Sequence, residues 1–270
     1  MKQLFILVLF PIFSKTFAQL EEYEFDLSHL DEDLYNPRNG NHTDLGHLFG
    51  YSNPEELGNF AEGDIYQPLL VKNAVKFKSR TWKKAVVPYE ISDDFSYNEV
   101  LKIRNAFKLF RQKSCVRFVP RVNQPDFISI QNAPNGCWSA IGRTGGKQIL
   151  NLQSGVCLRQ TGTILHEIMH ALGFFHEHNR YDRERFVKIN AQNIRPDATK
   201  NFRKDRQKES TTNGVGYDLG SVMHYSLMAF SRNGKPTIEP KVKFSGAIGQ
   251  RVGFSSKDVQ KINSLLCKDY

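Results

Sequence analysis

The middle of the chain reads His166-Glu167-Ile168-Met169-His170-Ala171-Leu172-Gly173-Phe174-Phe175-His176. Residues four apart share one face of an α-helix, so a helix over roughly 163–172 turns the His166 and His170 rings toward one point. Gly173 follows where such a helix must end, because glycine accepts the left-handed backbone of a helix C-terminus. The turn it makes brings His176 back as a third ring. Three imidazoles leave one side of a zinc ion open to water, the layout of a reactive site and not of a purely structural one. Glu167 does not need to ligate and can reach that water. Zinc lowers the water's pKa to about 7, so Glu167 serves as general base and then returns the proton to a departing amine. That chemistry suits hydrolysis of a peptide bond. The other histidines agree: of the five beyond residue 73, four fall within 166–178, a cluster that core packing alone does not produce.

Outward from this stretch, Ser96 and Glu99 form a capping box ahead of a helix with Val100, Ile103, Phe107 and Phe110 on one face. Strand-like runs are read at 85–91, 116–119, 127–130 and 148–152. A last helix begins near Ser255 and aligns Val259, Ile262 and Leu266 just before Cys267. Residues 207–253 read as loop-rich. Residues 19–72, rich in Asp, Glu, Asn, Gly and Pro, read as an irregular, loop-dominated segment. No internal repeat is found.

The 270 residues, 40% hydrophobic and 24% charged, suffice for a soluble globular protein with a substantial core. Lys2, the apolar run 4–13, and the small residues Thr16 and Ala18 predict a signal peptide cleaved after Ala18, hence secretion. That run is well short of the roughly 20 residues a membrane helix needs, and no later stretch is long and apolar enough, so no membrane anchor is expected. Export brings Cys115, Cys137, Cys157 and Cys267 into an oxidising compartment, favouring two disulfides among three possible pairings. Segment 19–72 carries 12 acidic and 2 basic residues, against 16 acidic and 33 basic in 73–270. The acidic segment either docks on the basic domain and is later removed, or the two surfaces are separately solvated. A secreted basic chain without zinc-finger or RNA-binding signatures is not expected to bind nucleic acid. Asn41-His42-Thr43 is a glycosylation acceptor triplet.

The run from 166 to 183, HEIMHALGFFHEHNRYDR, resembles the signature of the astacins, a family of metzincin metalloproteases. It matches at His166, Glu167, His170, Gly173, Phe174, His176, Glu177, Arg180, Asp182 and Arg183, while Glu184 stands where the family often has Asp. Ser221-Val222-Met223-His224-Tyr225 is similar to the family's Met-turn. Lys113-Ser114-Cys115-Val116-Arg117-Phe118-Val119-Pro120 and Gly136-Cys137-Trp138-Ser139 are astacin-like as well. The similarity spans 73–270 and is to the short, single-domain type.

The resemblance implies an α+β fold of two subdomains flanking a deep active-site cleft. A twisted sheet and long helices form the N-terminal part, and the C-terminal part is mostly irregular. It implies the pairings Cys115–Cys267 and Cys137–Cys157, and one Zn2+ held by His166, His170 and His176. Met223 would pack beneath that site. Tyr225 would be a further ligand that swings away to stabilise an oxyanion, which a phenol donor can do. It further implies a signal peptide over 1–18, an inhibitory pro-segment over 19–72 and a catalytic domain over 73–270. Astacin pro-segments carry a Phe-x-Gly-Asp element whose aspartate takes the open zinc position. Here Phe60-Ala61-Glu62-Gly63-Asp64 has one extra residue between Phe and Gly, with Asp64 as the blocking ligand. An activating protease cutting after Lys72 would leave Asn73 as a new N-terminus near Glu177, an ammonium–carboxylate latch. Arg251 falls where several astacins line the pocket for the residue after the scissile bond, and would favour acidic side chains in protein or peptide substrates. The alternative reading is a catalytically silent zinc-bearing binding module.

Overall fold

Helix α1, Tyr97–Lys113, begins at its capping box. The Ser96 hydroxyl accepts from Glu99 N, and the Glu99 carboxylate accepts from Ser96 N at 2.9 Å. Its buried face is Ile103, Ala106, Phe107 and Phe110, the one-sided pattern expected of a helix lying on a sheet. The computed structural model describes residues 53–66, 80–207 and 211–268. The expected signal peptide over 1–18, Asn41, and the expected cleavage point at Lys72–Asn73 lie outside the described residues.

Six strands form one sheet in the order β1-β5-β6-β4-β2-β3. They are β1 (Ile65–Tyr66), β2 (Val86–Ile91), β3 (Arg117–Pro120), β4 (Phe127–Gln131), β5 (Cys137–Ala140) and β6 (Lys147–Leu152). β2, β3, β4 and β6 pair in parallel, and β5 turns antiparallel to β6. Phe107 of α1 stacks on Phe118 of β3 at 4.3 Å and meets Tyr89 of β2 at 4.6 Å. These aromatic contacts fix α1 to the sheet.

Helix α2, Thr161–Leu172, is buried from Gly162 to Leu172. It stops at Gly173, whose φ of 113° and ψ of 14° are those of the expected left-handed cap. Helix α3, Ser256–Leu266, begins at a second capping box, Ser255 with Asp258. Both expected disulfides are formed: Cys115–Cys267 joins the start of β3 to the end of α3, and Cys137–Cys157 joins β5 to the loop after β6.

Two cores result. One packs the sheet and the three helices around residues such as Phe110, Leu150, Ile168 and Ile262. The other gathers Phe202, Tyr217, Tyr225, Phe230 and Ile238 in the C-terminal half. There, short 3-10 turns and one two-stranded pair, β7 (Val187–Ile189) with β8 (Ile238–Pro240), are the described regular structure before α3. The architecture is the expected α+β fold. Sequence reading missed β7 and β8, three residues each, and β5, whose four residues are all buried and show no alternation. It also read 19–72 as irregular throughout, whereas Pro54–Leu57 form a 3-10 turn and β1 adds to the sheet edge beside β5, with Ile65 opposite Ser139.

Candidate metal centre

α2 presents His166 and His170 one turn apart, and the Gly173 turn returns His176 to them, as the spacing predicts. Each ring is held from behind. His166 Nδ1 donates to Val222 O at 2.7 Å and His170 Nδ1 to Phe174 O at 2.7 Å. A carbonyl can only accept, so both rings carry their proton on Nδ1 and turn a bare Nε2 inward. His176 Nδ1 pairs with the Glu62 carboxylate at 2.8 Å.

Asp64 completes the cluster. Its Oδ2 lies 3.0 Å from His166 Nε2 and 3.3 Å from His176 Nε2, and its Oδ1 lies 3.5 Å from His170 Nε2. His166 and His176 Nε2 are 3.2 Å apart. Four ligands at tetrahedral corners, each about 2.0–2.1 Å from a zinc ion, lie about 3.3 Å from one another, so these separations match a zinc site. All four side chains are buried, and His170 Nε2 and Asp64 Oδ1 have no hydrogen-bond partner, a state that buried polar atoms avoid unless an ion engages them. Burial opposes the Asp64 charge, yet the nearby His176 and His170 imidazoles hold its carboxyl well below the ordinary range. Against its own burial, His176 is pushed up to about 10 by Asp64 and Glu62. The pocket therefore demands positive charge where the rings converge, a demand that a divalent cation meets.

Glu167 is buried with neither carboxylate oxygen hydrogen-bonded. Burial, reinforced by the nearby Asp64 charge, pushes its carboxyl well above the usual range. The Tyr225 ring packs against His176 (4.7 Å) and stacks on His178 (3.7 Å), and its hydroxyl donates to Glu62 O. Met223 is buried in the first core. Its carbonyl accepts from Glu177 N at 2.9 Å, tying the third-histidine loop to the turn over 221–225.

The extra residue in 60–64 is absorbed by a tight turn. Phe60 and Gly63 exchange backbone hydrogen bonds, with Glu62 and Gly63 at φ 52° and 87°. Phe60 keeps an anchoring contact on Trp138, 4.9 Å between rings. Farther up the segment, the Glu55 carboxylate pairs with Arg251 Nε, both side chains fully buried. Glu56 accepts from Ser226 N at 2.6 Å and Ser226 Oγ at 2.7 Å. Sequence reading singled out Arg251 and Asp64 but missed Glu55, Glu56 and Glu62. The excess of acid in the segment over base in the domain was the available signal for them. Glu177 is held by Arg180, Asp218 N and Lys261, and Lys261 was likewise missed.

Known proteins resemble most of this chain. The family model described as Astacin, a peptidase family, matches residues 74–267. Zinc metalloproteinase nas-7 of Caenorhabditis elegans is 42% identical over 220 residues, covering 81% of this chain and 56% of the relative. For nas-14 of the same organism the figures are 44% over 201 residues, 73% and 40%, so the chain spans about half the length of these curated relatives. High choriolytic enzyme 2 of Oryzias latipes is 43% identical, covering 81% of this chain and 78% of the relative. The solved structure of high choriolytic enzyme 1, a hatching enzyme zinc-protease from Oryzias latipes, superposes with a TM-score of 0.67 at 42% identity, covering 72% of this chain and 99% of that one. With a matching family model over most of its length, the same fold and a buried cluster of three histidines and one aspartate at zinc spacing, this chain belongs to the astacin family of peptidases.

Proposed function

We propose that the chain is a zinc-dependent endopeptidase, made as a secreted precursor whose segment 53–66 blocks the metal centre until another protease removes it. One observation carries the reading: Asp64 meets three imidazoles at tetrahedral spacing, with an unpaired Glu167 carboxylate buried beside them. Bound there, zinc supplies a Lewis acid that polarises a peptide carbonyl and acidifies a water.

The chain's own residues do the rest. Once Asp64 is withdrawn, Glu167 takes a proton from the attacking water and delivers it to the departing amine. Tyr225 loses its acceptor, the Glu62 carbonyl, in the same event, and its phenol is free to donate to the developing oxyanion. Met223 acts through packing and through its backbone link to Glu177. Arg251 receives an acidic side chain next to the scissile bond. The Glu55 carboxylate that already pairs with it supports this preference, and Ser226 N–H and Oγ offer a second pair of donors. Substrates are thus proteins or peptides.

Secretion rests on the signal pattern of 1–18 and on two disulfides, which persist in oxidising compartments. No described helix is long and apolar enough to cross a membrane, and no nucleic acid or membrane partner is proposed. Glycosylation at Asn41 and cleavage near Lys72 complete the proposal. Processed protein should cleave casein and lose that activity to a chelator, and cleavage persisting after thorough zinc removal would exclude the mechanism. Glu167→Gln should keep zinc and lose cleavage; a silent binding module would keep its function.

A further inference from the structure

From Val100 to Pro125 the chain carries seven basic residues and no acidic one. Six of the seven, Lys102, Arg104, Lys108, Arg111, Lys113 and Arg117, are exposed. Five stand on α1, and Arg117 stands on β3, the edge strand against which α1 packs. Arg104, Lys108 and Arg111 fall at i, i+4 and i+7, so they form one solvent-facing row roughly 10 Å long.

Elsewhere on the surface, cations sit beside carboxylates. Arg121 pairs with Glu90 at 2.7 Å, Lys204 with Glu184 at 2.7 Å, and Arg195 with Asp197 at 3.1 Å. Among the described residues, no carboxylate pairs with Arg104, Lys108, Arg111, Lys113 or Arg117. Arg117 Nη1 donates to the Ser114 and Val116 carbonyls, and Lys102 Nζ to Leu158 O, each at 3.0 Å. These neutral acceptors leave the charge uncompensated. Helix building does not account for the row, because like charges at i and i+4 weaken a helix. The helix dipole favours cations only in the last turn, where Arg111 and Lys113 lie, and leaves Arg104 and Lys108 without a reason.

The surface is rigid and exclusively polar. Phe107 and Phe110 seat α1 on Phe118 of β3, and Cys115–Cys267 fastens the link between the two elements to α3. No large apolar side chain is exposed from Val100 to Arg117. The face therefore lacks the wedge that a membrane-surface helix buries, and the aromatic rings on which nucleic-acid bases stack. A fixed row of cations suits a linear polyanion, and guanidinium forks take oxyanion oxygens in pairs. We infer that the exposed face of α1, with Arg117, is a docking surface for sulfated polysaccharide, centred on Arg104, Lys108 and Arg111. The choice of partner rests on the secretion proposed above, whereas binding in vitro is read without it.

The test titrates the full precursor with heparin and reads calorimetry at about 0.15 M salt, where surface charges are screened beyond roughly 8 Å. Arg104→Ala/Lys108→Ala/Arg111→Ala is expected to fold with a thermal midpoint no lower than wild type, since alanine favours helix and the repulsion is gone. It should bind heparin at least roughly tenfold more weakly. The control Arg232→Ala/Lys235→Ala/Lys243→Ala removes the same charge from exposed positions in the C-terminal half. Its loss should stay under about threefold, because docking depends on where the charge stands and not on its sum. Absence of heparin binding by wild type, or equal losses in the two triple variants, would overturn the inference. So would binding of desulfated heparin, a DNA duplex or phosphatidylserine vesicles within about threefold of heparin. A roughly tenfold gain on deleting residues 19–52 would assign the face to the chain's own acidic segment and overturn it equally.

Discussion

Asp64 and His166 are separated by 102 residues in the chain, yet Oδ2 and Nε2 lie 3.0 Å apart inside a fully buried cluster. The carboxylate takes the one corner that three histidines leave open. Segment 53–66 is built around that contact, with Phe60 on Trp138, Ile65 and Tyr66 paired to β5, and Glu55 and Glu56 holding its other end.

Replacing Asp64, the proposed blocking ligand, should expose the centre without cutting the chain. For Asp64→Ala, uncleaved precursor is expected to hydrolyse a short peptide at least roughly tenfold faster than wild-type precursor, since one charge-assisted ligand, at about 1.5–3 kcal/mol, is lost. The rest of the segment stays anchored, so activity should remain below that of processed enzyme. Peptide turnover and the rate of zinc extraction by a chelator check this. An uncleaved Asp64→Ala protein as inert as wild type would contradict the assignment.

The Glu55–Arg251 pair makes a prediction that separates precursor from product. Glu55→Gln leaves Arg251 buried without its charge partner and should destabilise the precursor by about 3–5 kcal/mol. The processed enzyme no longer contains Glu55 and should be unchanged. Arg251→Ala, in contrast, should act on the processed form by erasing enrichment of Asp and Glu after the scissile bond in a peptide library. Denaturant unfolding of the first and cleavage profiling of the second are the measurements.

Burial pushes the Glu56 carboxyl up to about 7, against the opposing pull of Arg251 and the Ser226 hydrogen bonds. A carboxyl whose folded value lies above its unfolded one, 4.5, binds its proton more tightly when the segment is docked. Its contribution is fully present below pH 4.5 and is lost as pH rises through about 7. Precursor stability should accordingly decline across that window more in wild type than in Glu56→Gln, as read from thermal midpoints at matched ionic strength. Parallel curves for the two proteins would remove Glu56 as the cause.

Gly162 is required for a close approach. Its N–H donates to Arg251 O at 2.8 Å, and a Cβ there would meet the Arg251 carbonyl carbon and oxygen at 2.2 Å. Gly162→Ala must push α2 and the 251 loop apart, at about 1–3 kcal/mol. Lower stability with a weakened acidic preference is expected, and an unchanged cleavage profile would separate the helix from the pocket.

The site was legible where chemistry follows local geometry. The i, i+4 histidines, the glycine that ends α2 and the Ser96–Glu99 capping box are each determined within a few residues, and each stands where the spacing predicts. Helix ends and strand ends shifted by one or two residues, as hydrogen bonds at element ends fray. β7 and β8 were not legible, because three residues cannot display alternation, and β5 was not because all four of its residues are buried and it has no polar face.

By itself, then, the amino-acid sequence determined the cluster of three histidines, the neighbouring Glu167 carboxylate and the helices that carry them. Their spacing follows from the 3.6-residue turn and from glycine's freedom at positive φ. The resemblance named Asp64 as a ligand, but only the tertiary structure gave its separations from the three rings and decided that Glu55 rests on Arg251 and that Lys261 pairs with Glu177. These pairs lie 84 to 196 residues apart, and no local periodicity records which buried charge will meet which. Their pairing is settled when packing excludes water and every buried charge must find its counterpart.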